Sequence, residues 1–556
     1  MSGSARQLGF GGTLALLLFA LLIAIPARFA AAHRAVSPLN DGGLFTLMAE
    51  ELQANHFRPP RTTGYNQDGI PFCYPPLGIY ALGLSSSLLG QPVLKVDRFL
   101  PPFVAVMVVL AFALVAREFF RNDGAGAAFA ATAVYCFNVT GYDWLIMGGG
   151  ATRAFGVLFA LLAVLLSLQW VRKGGILLLI ACGALIALAG CSHLEAGIFA
   201  AYSVALFVLA RPIGLARKIA DLAIIGVCAV ILSAPWWLGM VLLRHGFAPL
   251  HDAMGAGGSL YALMVIANYF ALSFSEQHLL SVFVALGLFY CLIERRPVLP
   301  IWILLAIVFT SRSAPMRASV PMALLAGMGW LLVVQVVRWK FAESSQSSPW
   351  RPRLLTGGLM AFFLTACIVS SHFAPPGAAN EGLSQPAIDA MRWACRETPP
   401  DSSFAVVSDT GPWVCDSWSE WFPYYAQRKS LYTVQGSEWL PHGEFSRRKR
   451  ISQSLLQVRT LDDLNAVFQK SGALPTHILV ARETRQGFLE LLVKQLQDSH
   501  QWTLQFQNEA AAIFKRVGPA GSTVSDSSPQ SRPEQKFQQV GHGLRVGSGS
   551  QIVRHG

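Results

Sequence analysis

Charge is what this sequence has least of. Only 13% of its 556 residues are Asp, Glu, Lys or Arg, against about a quarter in an ordinary soluble domain. With 53% hydrophobic residues and a mean hydropathy of +0.45, the chain is too apolar to fold as a water-soluble globule throughout. The period-two alternation of a transmembrane β-barrel is also missing, which leaves α-helices as the way to span a bilayer. The nine cysteines are scattered, with no CxxC pair and no metal-ligand spacing, so a zinc ribbon or dithiol motif is excluded. Six of them fall in or beside apolar runs, where they pack. Cys73, Cys395 and Cys415 fall in segments placed outside the membrane, and a Cys395–Cys415 disulfide, possible in an oxidising compartment, is left open. The net charge of +12 does not indicate nucleic-acid binding, because the basic residues sit in short clusters between apolar runs, as the positive-inside rule expects.

What is abundant is apolar sequence in runs long enough to cross a membrane. Taking Arg117–Arg121, Arg172–Lys173, Arg211–Lys218, Glu294–Arg296 and Arg338–Arg353 as cytoplasmic loops, each successive pair encloses two spans. The spans predicted are 9–31, 98–117, 124–142, 152–171, 175–191, 194–210, 219–243, 274–293, 298–312, 317–337 and 354–372, about eleven by length and hydropathy. Residues 8–32 also have the outline of a signal peptide, with Ala30-Ala31-Ala32 at its end, but the topology needs them as a retained first helix. The N-terminus is then cytoplasmic and the C-terminus extracytoplasmic, in a plasma (inner) membrane.

This assignment places residues 33–97 outside as one large loop. It contains Asn40-Asp41-Gly42-Gly43, two membrane-hugging helices over 42–54 and 76–89, and Phe72-Cys73-Tyr74-Pro75-Pro76. A carboxylate just beyond the first span is well placed for chemistry on a lipid-borne substrate. Lys95 and Arg98 lie outside against the charge trend, which suits an anionic partner or anchoring to lipid headgroups. Other outer segments carry Asp143, Arg153, His193, Glu195, Arg312 and Arg317. Polar groups near membrane depth face a cavity or a partner, and here they collect on one side.

Residues 1–372 therefore form a transmembrane domain and 373–517 an extracytoplasmic α/β domain, while 518–556, rich in Ser, Gln and Gly, reads as disordered. The α/β domain is predicted to contain a helix over 385–396 capped by Ser384, strands over 404–408 and 477–481, a helix over 488–496, and a hairpin of 502–506 with 511–514. It has no nucleophile elbow, P-loop or dinucleotide fingerprint. Its segment Asp416-Ser417-Trp418-Ser419-Glu420-Trp421 combines aromatic faces with carboxylates. That combination suits sugar rings; packing of the domain onto the membrane surface is the alternative.

The order of a first span, Asp41 with an amphipathic helix, Tyr74-Pro75-Pro76-Leu77-Gly78-Ile79-Tyr80, then Asp97-Arg98-Phe99 opening the next span resembles the GT-C glycosyltransferase superfamily. Over roughly residues 1–210 it is most similar to the bacterial branch of aminoarabinose transferases and protein O-mannosyltransferase-like enzymes. The resemblance implies transfer of a sugar, with inversion, from a polyprenyl-phosphate donor to a lipid, glycan or protein acceptor at the outer face. It implies that Asp41 acts as general base or orients the acceptor. Cations must steady the phosphate leaving group; Arg98, Arg153, Arg58 and Arg61 are the candidates, then Lys95. Tyr74, His193, Glu195, Trp418, Glu420 and Trp421 are candidate substrate contacts. Relatives commonly carry a second acidic residue in the loop before the fourth span, where this chain reads Gly149-Gly150-Ala151-Thr152-Arg153. A divalent metal, Mg or Mn, is therefore left open, and no metal ligands are assigned. A transporter or flippase, and a non-catalytic glycan- or lipid-binding protein on the same scaffold, remain as alternatives.

Overall fold

Apolar residues without internal breaks become helices here because backbone polar groups in a membrane must be satisfied within the segment. In a computed structural model, which describes residues 9–255, 278–342, 351–373, 381–409, 412–483 and 489–517, five helices are long and apolar enough to cross a membrane. They are Phe10–Arg34, Val93–Phe119, Gly150–Lys173, Leu215–His245 and Ser311–Val337. Shorter apolar helices, among them Ala125–Phe137, Ile176–Ser192, Leu194–Ala210 and Val298–Phe309, complete the bundle. The chain is a multi-pass membrane protein. The expected span 124–142 stops as an α-helix at Phe137 and continues as a 3-10 turn, Val139–Gly141. The cause is local: Thr140 donates to Asn138 Oδ1 at 2.6 Å, a side-chain bond that competes with helix continuation. Helix Ala125–Phe137 packs closely on Ala314–Ala342 because Ala127, Ala128, Ala130 and Ala131 are small and fully buried. The start of the expected span 274–293, most of the outer segment after Arg244, residue 488 of the expected helix and the tail 518–556 lie outside the described residues.

The two helices predicted in the first loop are present as Gly43–Ala54 and Leu77–Leu89. Neither lies only on a surface. Leu44, Phe45, Met48, Leu52, Ile79 and Leu82 share a buried cluster with Tyr65, Phe72 and Trp439, so this loop is a packed layer of its own.

The C-terminal segment forms a five-stranded sheet from β1 (Ser403–Val407), β2 (Lys429–Ser430), β3 (His477–Ala481), β4 (Trp502–Gln507) and β5 (Ala511–Arg516), in the order β2-β1-β3-β5-β4. β2, β1 and β3 are parallel; β5 and β4 form the predicted antiparallel hairpin. Strand alternation sends Phe404, Val406, Leu479 and Ile513 to one face, under helices Gln385–Glu397 and Ser417–Ala426. It sends Ala405, Val407, Ile478, Val480 and Phe514 to the other face, under Leu461–Ser471 and Leu489–Asp498. The central strand β3 is therefore buried along its whole length. Ser384 accepts from the Ala387 amide as the expected N-cap. Cys395 and Cys415 are not bridged.

The sheet unit is clamped to the first loop by hydrogen bonds and ion pairs. Asn66 and Ser430 exchange two hydrogen bonds, 2.9 and 2.7 Å. Asp68, whose side chain is 3% exposed, pairs with Arg448 at 2.6 Å and with Lys429 at 3.2 Å. Tyr424 donates to Glu50 at 2.8 Å, and Tyr65 donates to the Glu420 carbonyl at 2.5 Å.

Candidate active site

The four residues Asn40-Asp41-Gly42-Gly43 form a tight reversal between the first helix and the first loop helix. Asn40 holds a left-handed φ of 47°, a conformation Asn tolerates better than most residues. Its carbonyl accepts from Trp421 Nε1 at 2.7 Å and its amide side chain donates to the Val414 carbonyl at 3.1 Å. Gly42 has φ +135°, and a Cβ there would lie 2.8 Å from Gly148 Cα. The turn thus depends on a residue without a side chain.

The reversal presents Asp41, which is only 5% exposed, to the start of helix Gly150–Lys173. Its Oδ1 accepts from the Gly149 amide at 2.9 Å, and its Oδ2 accepts from Arg153 Nη2 at 2.8 Å. One oxygen therefore meets the positive end of a helix and the other a guanidinium. Arg153 is steadied by Trp144, whose ring centre lies 5.3 Å from its guanidinium carbon. The same geometry explains why no second acid follows Gly148. A Cβ on Gly148 would approach the Asp41 carbonyl oxygen to 2.1 Å, and one on Gly149 would come within 2.6 Å of the Asp41 carboxylate. Space at this turn is taken by Asp41 itself.

Tyr74 lies near Asp41 and Arg153, with its ring edge-on to Phe45 and Trp439 at 4.7 and 5.8 Å. Glu420 and Glu438 approach from the C-terminal domain. Burial pushes the Glu420 carboxyl well up, Asp41 and Glu438 push it further, and Arg153 opposes them. Glu438 is raised by burial as well, against Arg312 and Arg153. Burial likewise raises the Tyr74 hydroxyl. The site thus gathers carboxylates that prefer a proton around one ion-paired carboxylate, Asp41.

His193, at the start of helix Leu194–Ala210, leaves its Nδ1 buried without a hydrogen-bond partner. It lies within electrostatic reach of Arg317, Arg153 and Arg312. Glu195 is within reach of Arg317. Arg317 is 1% exposed, and none of its three guanidinium nitrogens has a hydrogen-bond partner. A buried unpaired cation is among the costliest arrangements in a protein.

The other expected cations are placed differently. Arg98 donates to the Ala32 and His33 carbonyls at 2.7 and 2.9 Å, satisfying the end of the first helix. Lys95 is exposed and donates to Gln91 at 2.8 Å. Arg58 and Arg61 are exposed on the first loop, beside the Pro59 carbonyl to which Arg244 donates. Trp418 and Trp421 are buried in the core of the sheet domain, so their faces pack against protein.

Asp97, Arg317 and Glu438 are the site residues that sequence reasoning did not single out. Asp97 is 1% exposed, accepts from Thr46 at 3.0 Å, and its Oδ2 would lie 3.0 Å from a Cβ on Gly42. Its position in the apolar start of a span was the available signal. Among the described residues, no group of three or more His, Cys, Asp and Glu side chains is arranged to hold a metal ion.

No family model and no curated protein matches the sequence. Solved structures do resemble its fold. ArnT from Cupriavidus metallidurans bound to undecaprenyl phosphate is 14% identical, with a TM-score of 0.50 over 92% of this chain and 100% of that chain. The arabinofuranosyltransferase AftD from Mycobacteria is 12% identical, with a TM-score of 0.53 over 93% of this chain and 40% of that chain. At these identities the likeness speaks for the fold, and it agrees with the first-loop pattern, the apolar helices and the C-terminal sheet: the chain has the fold of the GT-C membrane glycosyltransferases.

Proposed function

We propose that the protein transfers a sugar from a polyprenyl-phosphate carrier to a hydroxyl acceptor, with Asp41 as the general base. The observation that carries this reading is the Asp41 carboxylate fixed at 2.8 Å from Arg153 and 2.9 Å from the Gly149 amide. Each oxygen keeps a second lone pair for an acceptor O–H. The ArnT structure with undecaprenyl phosphate supports a polyprenyl phosphate as the carrier here.

In the proposed step the acceptor oxygen attacks the anomeric carbon from the face opposite the phosphate, inverting that centre. The bond from carbon to phosphate oxygen breaks and its electrons stay on the phosphate. The acceptor proton passes to Asp41. The products are the glycosylated acceptor and polyprenyl phosphate. Arg153 and Arg317 supply the positive field for the phosphate, and His193 presents Nδ1 to it. Glu420 and Glu438, held toward their neutral forms by burial, offer hydrogen bonds to sugar or acceptor hydroxyls without repelling Asp41. The N-terminus is cytoplasmic and the sheet domain extracytoplasmic in this account, with the site at the outer face. The domain division at about residue 373 follows from the same topology.

The test is direct. Protein in vesicles of bacterial envelope lipid extract, which supplies hydroxyl-bearing lipid and glycan acceptors, is given undecaprenyl-phosphate-linked pentoses and hexoses, and free undecaprenyl phosphate is measured by mass spectrometry. Release above that of protein-free vesicles with at least one donor is expected. Sugar flux across the vesicle without carrier release would favour a transporter. Binding without release would favour a non-catalytic protein.

A further inference from the structure

Helix Gly150–Lys173 begins beside Asp41 and has 24 residues, so it carries the chain about 36 Å to the far end of the bundle. At that end, helices Val93–Phe119, Gly150–Lys173 and His278–Ile293 finish and helix Val298–Phe309 begins. A cavity of about 630 Å³ opens between them, lined by Arg121, Arg172, Arg295 and Arg296. Two carboxylates also line it: Glu118 pairs with Arg172, and Asp123 with Arg296 at 3.5 Å. Among the described lining residues, four guanidinium groups stand against two carboxylates, an excess of two positive charges. Scattered topogenic residues need no common recess.

Arg295 is informative by its backbone. It follows helix His278–Ile293 with φ 52°, and the next amide, that of Arg296, bonds back to the Cys291 carbonyl at 2.8 Å. This is the helix-ending position that glycine usually fills. Here a strained conformation is occupied by an arginine that lines the cavity. Helix Val298–Phe309 starts at the same recess with no side-chain cap. Part of the lining is apolar, with Phe207, Leu299 and Met328. Immediately beside the lining residues Cys291 and Leu299, the side chains of Leu292, Ile293 and Ile301 are 66%, 57% and 39% exposed, a surface suited to acyl chains.

We infer that this recess binds an anionic glycerophospholipid, its phosphate held by Arg121, Arg295 and Arg296 and its acyl chains lying on the neighbouring helices. The charge excess selects an anion, and the apolar lining and flank select a lipid over a free phosphate. Such a lipid would tie four helix ends together at the end remote from Asp41, so it stabilises the fold without entering the proposed reaction.

The experiment uses purified full-length protein in a neutral detergent and follows thermal unfolding while phosphatidylglycerol, phosphatidylethanolamine or inorganic phosphate is added. Phosphatidylglycerol is expected to raise the melting temperature with saturation, and the zwitterionic lipid is expected to do much less. Arg295→Gly, which suits the left-handed backbone, should fold at least as well in detergent alone. It should weaken the phosphatidylglycerol response by about fivefold, and a further Arg121→Gln change by about fivefold again. Equal responses of wild type and the double variant would overturn the proposal, as would equal effects of the two lipids. A full response to inorganic phosphate would make this a free-anion site and overturn the lipid assignment.

Discussion

Asp41 accepts from an amide and a guanidinium while almost shut off from solvent, so its orientation is set before any substrate arrives. Asp41→Asn keeps the shape and removes the base; transfer should fall by about 10²–10⁴, with the folded fraction checked by size-exclusion chromatography. Gly149→Ala tests geometry instead of chemistry. Its Cβ would sit 2.6 Å from the Asp41 carboxylate, so transfer should be lost although every functional group remains. Arg317 should show opposite signs for stability and function. Arg317→Met removes a buried, unpartnered charge and should stabilise the protein by about 1–4 kcal/mol, while raising the donor concentration needed for half-maximal rate. At this scale Asp41 and Arg153 were legible as polar residues just outside apolar runs. Arg317 was not, because a cation at a span end looks the same in sequence whether it anchors to headgroups or lies buried beside His193. Trp418 and Trp421 were ambiguous for a related reason: a tryptophan-rich helix reads alike as a sugar platform and as a core.

The elements that matter most are the first loop and helix Ser417–Ala426, which meet through Trp421, Tyr424 and Tyr65. The Asp68–Arg448 pair lies in the same seam and is nearly dry, with 3% and 6% of its side chains exposed. Arg448→Met should therefore leave Asp68 short of a partner and cost about 3–5 kcal/mol. Hydrogen exchange should speed up together in residues 62–72 and 429–440, and faster exchange in only one of them would argue against a shared seam. Strands β1, β3 and the hairpin were legible because their residues alternate or run continuously apolar. Helix Leu461–Ser471 was missed although its start carries a capping box, Thr460 with Asp463. Helix Ser417–Ala426 was missed because Pro423 and five aromatic residues obscure its periodicity.

For the whole molecule, the division of charge is the main organising fact. The basic loops assigned to one side by sequence supply Arg121, Arg172, Arg295 and Arg296 to one recess, while Asp41, Arg153, Glu420 and Glu438 gather about a helix length away. Boundaries and span count were less legible, since helices such as Ala125–Phe137 owe their burial to neighbours and not to their own length. The buried acids also give the fold a pH dependence. The Glu420 carboxyl is raised in the folded state from its usual 4.5, so the folded protein holds that proton more tightly than the unfolded chain. Its stability must fall as pH climbs from about 4.5 through the raised value. Glu420→Gln should flatten the melting temperature between pH 5 and 9, a range chosen to bracket about neutral conditions; parallel profiles would count against a buried, protonated Glu420.

The proposed role of Asp41 is that of base in a sugar transfer from a polyprenyl-phosphate carrier. The most direct measurement is carrier release from an undecaprenyl-phosphate sugar by wild-type and Asp41→Asn protein in the same vesicles, with undecaprenyl phosphate binding measured alongside. Release by the wild type, near-complete loss in Asp41→Asn, and carrier binding retained in both are expected. Release by Asp41→Asn at the wild-type rate would contradict that role.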